Sequence, residues 1–378
     1  MYMIYIKSLA IKSFRGISSL QLNELSPINI LTGDNNSGKT SVLEVLQSYS
    51  NPENFRIWGT VLRKNINRAF PLSSYSYYEG IYDLFDVNKE NKCIEYTVEE
   101  IDSEIGMNVE NIRLNAEITE EELTESEYEK IQGFSMASSK TGDLSDEFVH
   151  NVNKMELRLS INDELKAEGY IFEGQRKIED NKKTLMLKSK RNIVYISPSR
   201  HTEADVYLTD ILKYPDLYEG MLEILKDYDE DIISINYDND EKYRPSRGVY
   251  KILSKSYKEA LPFNVYGDGM KKAILLMSAV LKAQNGILLL DEFETAIHTS
   301  AMDRTFRWIL ETCLKLNVQV FLTSHSKEAI DKVLKCSEKV RNHTALYTLY
   351  KEDDKITVRR LTGEKAVEVQ DEMGLELR

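Results

Sequence analysis

Cysteine is scarce in this sequence. Among 378 residues only Cys93, Cys313 and Cys336 are cysteines, and they lie far apart along the chain. A disulfide framework or a zinc site needs closely and regularly spaced cysteines, which these three do not provide. We therefore expect isolated buried or surface thiols and draw no functional prediction from them.

Long apolar segments are also missing. No apolar run approaches the roughly 20 residues that a membrane-spanning helix needs. The first residues, MYMIYIKSLAIKSFRG, alternate apolar with polar side chains instead of forming the apolar block of a signal peptide. These two absences predict a cytoplasmic protein with no membrane partner.

An excess of positive charge is absent as well. The chain carries 62 acidic and 49 basic residues, a formal net charge of -13. Nucleic acid wrapped around such a protein would be repelled, although a local basic groove could still bind it. Apolar residues make up 42% of the sequence, which is enough for a large core and for two or three structural units.

The order of predicted elements divides the chain into four parts. Residues 1–50 contain two strands, the apolar strand INILT and the helix TSVLEVLQSY. Residues 51–192 form an inserted β-rich and helical region, in which CIEYTV, VENIRLNAEI and KMELRLSI alternate as antiparallel strands do. Residues 193–350 return to α/β character, and residues 351–378 hold a hairpin strand and a helical tail. The parts on either side of the insertion are predicted to share one sheet.

Charge is unevenly distributed within the inserted region. Glu95 to Lys130 holds thirteen acidic residues against two basic ones, whereas Glu173 to Asn192 holds seven basic against three acidic. Such runs usually form solvated faces. The alternatives are an acidic face for a partner protein and a basic contact for nucleic acid or another subunit. The serine-rich residues 133–148 between the two runs predict a loop.

A phosphate-binding loop follows the strand INILT. The segment GDNNSGKTS fits the spacing G-x4-G-K-T between a predicted strand and a predicted helix. In such a loop backbone N–H groups and the helix N-terminus bind phosphate, the lysine contacts the β- and γ-phosphates, and the threonine hydroxyl ligates Mg²⁺. We therefore predict a site for ATP and Mg²⁺. Its contacts are Gly33, Asn35, Asn36, Ser37, Gly38, Lys39, Thr40 and Ser41.

Two further apolar strands end in groups suited to ATP hydrolysis. In ILLLDEFE, Asp291 and Glu292 follow a strand that is predicted to be buried on both faces. Asp291 is the predicted Mg²⁺ ligand beside Thr40, and Glu292 the predicted base for the attacking water. In VFLTSHS, His325 is predicted to reach the γ-phosphate or that water, so the predicted catalytic residues are Lys39, Glu292 and His325. The ordinary alternatives are a solvated acidic turn and a structural histidine.

A second candidate anion contact lies upstream of the carboxylates. In VYGDGMKKAILLMSAVL, Gly267 and Gly269 precede a predicted amphipathic helix, whose N-terminus could contact an anion. Lys271 and Lys272 add positive charge there. A simple turn that leads into a helix is the alternative.

These four elements, in this order and with a long insertion after the first, resemble the ABC-type ATPase heads of the SMC, RecF and OLD (overcoming lysogenization defect) group. The segments INILTGDNNSGKTSVLEVL, YGDGMKKAILL, LLLDEFETAIH and FLTSHS are especially similar to OLD-like ATPases of the AAA_15/AAA_21 type. The resemblance covers residues 5–50 and 193–335. It implies an α/β fold, an ABC-type P-loop ATPase head with a mixed central sheet, an antiparallel β lobe and an inserted α/β region.

The resemblance also implies a composite site. ATP would join the phosphate loop of one protomer to the signature segment of a second in a head-to-tail homo-oligomer. These heads commonly have Ser-Gly-Gly in that segment, so here backbone N–H groups or a lysine must replace the serine hydroxyl. Arg15, in SFRG, matches an arginine near the nucleotide, whereas Gln47 lies in the first helix and cannot be placed as a Q-loop glutamine. The predicted contacts in trans are Gly267, Asp268, Gly269 and Lys271.

The resemblance implies that effector chemistry lies in a partner protein. OLD nucleases continue into a metal-dependent Toprim domain, whereas residues 326 to 378 here contain no second carboxylate cluster. A Toprim- or HNH-type nuclease or toxin would then be the effector, as in antiphage systems such as PARIS and Septu, with a phage protein or DNA as the trigger. The alternative is a RecF- or SMC-like DNA-repair ATPase that acts on DNA directly. The long insertion and the FRG opening disfavour a transporter motor.

Overall fold

The computed structural model describes most of the chain, as three β-sheets and ten α-helices. All structural statements below refer to this described part. It comprises residues 5–63, 77–102, 106–132, 149–175, 177–180, 191–198, 208, 211–238, 249–295, 297, 299–352 and 355–373.

The central sheet is mixed and draws strands from both sides of the insertion. Its strands are β3 (Ile28–Gly33), β9 (Ile193–Ile196), β13 (Ile287–Leu290), β14 (Gln319–Thr323), β15 (Thr344–Glu352) and β16 (Lys355–Thr362). The order is β16-β15-β3-β14-β13-β9, with β16 antiparallel to β15 and the other pairs parallel. Every residue of β3, β13 and β14 is buried, as parallel strands covered on both faces require. The predicted shared sheet and C-terminal hairpin are confirmed.

The second sheet is antiparallel and joins the N-terminal strands to the inserted region. Its strands are β1 (Ile6–Ser13), β2 (Leu20–Leu22), β4 (Lys92–Asp102), β5 (Gly106–Thr124), β6 (Val149–Ile161), β7 (Glu164–Phe172) and β8 (Glu179–Asp180). The order is β2-β1-β4-β5-β6-β7-β8. The three alternating segments are therefore strands, as predicted. Because β1 pairs with β4, this sheet crosses the boundary at residue 50, and the four-part division of the chain stays a prediction.

The described helices pack against the central sheet and the antiparallel sheet. They are α1 (Lys39–Ser48), α2 (Phe55–Trp58), α3 (Tyr77–Tyr82), α4 (Glu125–Gln132), α5 (Pro215–Leu225), α6 (Asp268–Lys282), α7 (Thr299–Lys315), α8 (Lys327–Lys335), α9 (Glu338–Asn342) and α10 (Gly363–Met373). Along β13, Leu288 and Leu290 pack into a core with residues of α5 to α8. Ile287 and Leu289 pack into a second core with α1 and the antiparallel sheet. The carboxyl ends of the strands therefore lie at one edge between two cores.

Two features differ from the sequence-based expectations. A third sheet, β10 (Ile232–Asp238), β11 (Val249–Ser254) and β12 (Leu261–Pro262), was not predicted. The helix α6 is not amphipathic, since every residue from Lys272 to Leu281 is buried. It packs against β9, α5 and α7, and a helix enclosed in this way is apolar on nearly all sides.

The acidic run lies largely on β4, β5 and α4. Its carboxylates are paired within the sheet: Lys154 Nζ lies 2.8 Å from Glu121, and Lys12 Nζ lies 2.6 Å from Glu95. These pairs connect neighbouring strands on the solvated face. The arrangement agrees with the solvated-face interpretation of the run.

Arg191 joins the two large sheets just before β9. Its Nε donates to Glu100 Oε2 at 2.7 Å, and its guanidinium carbon lies 3.8 Å from the centre of the Tyr49 ring at the end of α1. A second nitrogen lies 3.1 Å from Glu110 on β5. The Arg191 side chain is only 15% exposed, and its positive charge neutralises the shielded carboxylates of Glu100 and Glu110.

Replacement of Arg191 by methionine should lower the free energy of unfolding by about 3 kcal/mol, because two shielded carboxylates lose their cation. The matched control is Arg158→Met, whose side chain is 55% exposed and whose carboxylate contacts are 3.6 to 3.9 Å long. That change should cost no more than about 1 kcal/mol. Urea unfolding followed by circular dichroism compares the two, and equal losses would refute this role for Arg191.

Candidate functional site

The phosphate-binding loop connects β3 to α1. Gly33 and Gly38 have φ values of +134° and +97°, a region that side chains rarely adopt. A Cβ added to Gly33 would also lie 2.3 Å from the backbone oxygen of Leu349 in β15. Both glycines are therefore required by backbone conformation, and Gly33 also by its close contact with the hairpin.

Lys39 is folded back over the loop. Its Nζ donates to the backbone oxygens of Gly33 and Asp34, each at 2.8 Å. Burial lowers the pKa of Lys39 to about 8, although the nearby carboxylates, Asp291 first, favour its charged form. The third N–H of the ammonium group makes a longer contact of 3.4 Å with Ser37 Oγ, so an anion that enters the loop has to replace one or more of these three acceptors.

Asp291 lies at the carboxyl end of β13 and is nearly completely buried. Its Oδ1 accepts hydrogen bonds from Thr40 Oγ1 at 3.1 Å and from Thr323 Oγ1 at 2.5 Å. Its Oδ2 accepts one from the Tyr195 hydroxyl at 3.3 Å. Burial raises the pKa of Tyr195 well above its usual value, which keeps that hydroxyl a donor. One carboxylate thus links α1, β9, β13 and β14.

The oxygens of Thr40 and Asp291 fit a magnesium ion. Mg²⁺ prefers oxygen ligands and is usually held by one or two protein groups together with substrate phosphates and water. Within the described residues, no cluster of three or more histidine, cysteine or acidic side chains could hold a metal by itself. A site that is completed by nucleotide phosphates is therefore the arrangement these two residues suit.

Glu292 and His325 flank this position. Glu292 has a φ of +45°, and its backbone N–H donates to Thr323 Oγ1 at 2.8 Å, which fixes the turn after β13. His325 is exposed, in the turn between β14 and α8. Its backbone N–H and the Ser324 hydroxyl both donate to Glu294 Oε1, at 3.3 and 2.8 Å. Both predicted catalytic side chains face one cavity.

That cavity has a volume of about 550 Å³ and opens to solvent. It brings together the phosphate loop, Glu292, His325 and Arg15, and it adds five residues that were not predicted: Gly16, Ile17, Arg63, Lys351 and Ile356. The lining residues are Arg15, Gly16, Ile17, Asn35, Asn36, Gly38, Lys39, Thr40, Ser41, Arg63, Glu292, His325, Lys351 and Ile356. Gly33 and Ser37, the two remaining predicted loop contacts, are buried and do not line the cavity.

The signature segment does not line this cavity. Gly267 is the N-cap of α6, and Asp268 begins the helix, so Gly269 belongs to its first turn and does not precede it as predicted. Lys271 Nζ lies 3.2 Å from Asp268 Oδ1. Gly267 and Asp268 are exposed, and a Cβ added to Gly267 would meet no atom of the described residues within 4 Å. The segment therefore presents an open surface outside the nucleotide cavity of its own protomer.

Comparison with known proteins gives the family. A family model described as "AAA domain, putative AbiEii toxin, Type IV TA system" matches residues 28–331, a span that includes the loop, both carboxylates and His325. The chain belongs to this family, AAA_21. It is 24% identical to a Helicobacter pylori protein named "ATP/GTP phosphatase" over an alignment of 373 residues. The alignment spans 95% of this chain and 96% of that relative.

Two further similarities accompany the AAA_21 match. The uncharacterized protein MJECL11 of Methanocaldococcus jannaschii is 32% identical over 114 residues, which are 30% of this chain and 98% of that protein. The solved structure of an SMC head bound to the C-winged helix domain of ScpA has a TM-score of 0.51 and 13% identity, with 97% of this chain and 100% of that one covered. This likeness confirms the fold class, the α/β fold with mixed sheets of an ABC-type ATPase head.

Two arginines of this AAA_21 protein converge on one buried carboxylate beside the cavity. Arg15 Nε donates to Glu44 Oε2, and Arg63 Nε donates to Glu44 Oε1, each at 2.9 Å. Arg63 also donates to Ser41 Oγ at 3.1 Å, and its side chain is 54% exposed. Two cations on one carboxylate leave an excess positive charge next to the loop. Arg63 lies outside every motif, and the only sequence signal for a buried cation there was Glu44, an acidic residue between the apolar residues of VLEVL.

Gln47 could not be placed as a Q-loop glutamine from the sequence. Gln47 does not line the cavity, and its Nε2 donates to Thr60 Oγ1 at 3.4 Å, in agreement with a structural role.

Most of the basic run Glu173–Asn192 lies outside the described residues, and so do the serine-rich residues 133–148. None of the described helices is long and apolar enough to cross a bilayer.

Replacement of Arg63 by alanine should weaken Mg·ATP binding about tenfold, because the cavity loses its most exposed guanidinium while Arg15 still neutralises Glu44. The matched control is Arg56→Ala, an exposed arginine of α2 outside the cavity. Titration with a fluorescent ATP analogue measures both dissociation constants. Equal constants for the two variants would show that Arg63 makes no contact with the nucleotide.

Proposed function

We propose that this protein binds ATP with Mg²⁺ and hydrolyses it slowly, as a regulatory switch. The observation that carries the proposal is the single cavity shared by the phosphate loop, Glu292 and His325, with Asp291 directly behind Thr40. A relative named "ATP/GTP phosphatase" that is similar over nearly the whole chain supports hydrolysis.

The predicted ATP-binding and catalytic residues have proposed roles. Lys39 donates to the β- and γ-phosphate oxygens, and Thr40 with Asp291 holds Mg²⁺, which would neutralise phosphate charge. Glu292 takes the proton of the water that attacks the γ-phosphorus, while the bond to the ADP oxygen breaks. His325 contacts the γ-phosphate or that water. The backbone N–H groups of the loop and Arg15 complete the phosphate contacts.

We propose further that ATP joins two protomers head to tail. The signature segment, Gly267 to Lys271, is exposed at Gly267 and Asp268 and lies outside its own cavity, so these positions are available to a second copy. It has no serine hydroxyl, and the acidic Asp268 would by itself repel a γ-phosphate. Lys271 offsets that charge through its contact with Asp268. The N-terminal N–H groups of α6 then supply the donors for phosphate oxygens.

In the cell, we propose, this switch senses infection and controls a separate nuclease or toxin of an antiphage system. The family description names a putative toxin and a type IV toxin–antitoxin system, which supports a defence role. Among the described residues after His325, β15 and β16 complete the central sheet, and Lys351 and Ile356 line the nucleotide cavity. The proposed effector chemistry belongs to a separate partner protein.

A RecF- or SMC-like ATPase that acts on DNA is the second candidate. The shared fold with an SMC head favours it, as do the six basic residues of the run Glu173–Asn192 other than Arg191, which is paired with Glu100. Binding of this protein to duplex DNA that weakens steeply with salt would support this candidate over an effector switch.

Glu292→Gln tests the proposed function directly. The amide cannot accept the proton, so hydrolysis should fall at least about 100-fold while ATP stays bound and the protein becomes dimeric with Mg·ATP. The matched control is Glu328→Gln, an exposed glutamate of α8 away from the cavity, which should behave as the wild type. Phosphate release and light-scattering mass give the two readouts. A wild type without hydrolysis, together with a Glu292→Gln variant that retains no ATP, would refute the proposal.

A further inference from the structure

A buried lysine lies directly after the signature segment. Lys272 belongs to the first turns of α6, and none of its surface is exposed. Within the described part of the chain, its Nζ has no hydrogen-bond partner. A buried ammonium group without a partner is costly, so the lysine either loses its proton or gains a partner in another state of the molecule.

Glu294 carries the complementary unsatisfied group. Its Oε1 accepts from the Ser324 hydroxyl and from the backbone N–H of His325, so this carboxylate sets the position of the histidine turn. Its Oε2 is buried and has no partner among the described residues. The donor Lys272 Nζ and the acceptor Glu294 Oε2 are thus both buried and, among the described residues, both without a hydrogen-bond partner.

The electrostatic environment connects these two groups. Burial lowers the pKa of Lys272, and the attraction of Glu294, followed by Asp291 and Glu292, opposes that change. Glu294 is therefore the carboxylate that acts most strongly on the ammonium group. The pair is attracted but, within the described residues, not joined by a hydrogen bond.

We propose that Lys272 is a positioning residue that couples the signature segment to His325 of the same protomer through Glu294. When a second protomer's nucleotide contacts Gly267 to Lys271, the first turn of α6 shifts and Lys272 donates to Glu294 Oε2. The carboxylate is then held at both oxygens, and the turn that carries His325 is fixed. This coupling rests on the proposed head-to-tail site, and it makes hydrolysis in one protomer depend on the arrival of the other.

The pair predicts a specific kinetic pattern. Lys272→Met removes the charge and keeps an apolar side chain of similar length, which a buried site accepts. It should lower kcat roughly tenfold and leave the KM for ATP within about twofold, because a catalytic group is mispositioned while binding is intact. Glu294→Gln keeps an acceptor for Ser324 and His325 but loses the charge, and it should give the same loss. The double variant should be no slower than either single one, since the two groups act as a unit.

Lys282→Met is the matched control, because Lys282 is an exposed lysine at the far end of the same helix. A kcat for Lys272→Met equal to that of the control would overturn the coupling, as would a double variant whose loss is the product of the single losses. If Lys272→Met does not fold, Glu294→Gln alone decides, and a normal kcat overturns the inference. A wild type that hydrolyses no ATP would overturn the proposed function too, whereas an active wild type with unaffected variants leaves that function standing.

Discussion

The nucleotide site depends on one buried carboxylate, Asp291, and the hydroxyl groups that hold it. Thr40 belongs to α1, Tyr195 to β9 and Thr323 to β14, so a single side chain ties three strands and a helix together at the carboxyl edge of the sheet. The same oxygens suit Mg²⁺. Thr323 also accepts the backbone N–H of Glu292 and thereby sets the direction of the proposed base. The proposed metal position and the proposed catalytic position are therefore built by the same contacts.

The inserted region is attached to this site and does not stand apart from it. The antiparallel sheet contains β1, whose following turn carries Arg15 to Glu44 on α1. Arg191 ties the same sheet to the start of β9. The antiparallel sheet is therefore connected both to an arginine beside the cavity and to the start of β9.

Much of the fold and of the site could be predicted from the sequence, because both depend on contiguous patterns. The phosphate loop, the carboxylates after β13 and His325 after β14 each follow a buried strand, and parallel strands bring their carboxyl ends to one edge. Features formed by residues distant in sequence were not predictable. Arg63 reaches the cavity only because Glu44 lies on the facing helix, and Lys351 only because β15 pairs with β3. The burial of α6 depends likewise on its packing partners, and its charged first turns misleadingly indicated a surface helix.

A mixing experiment tests most directly whether the signature segment acts in trans. Lys39→Ala disables the phosphate loop, and Gly267→Glu places a bulky acidic group where the protomer itself has no atom within 4 Å of an added Cβ. Each variant alone should be inactive. An equal mixture should recover about a quarter of wild-type hydrolysis, because half of randomly formed dimers pair the two variants and each holds one intact site. Full activity of Gly267→Glu alone, or no recovery on mixing, would contradict the composite site.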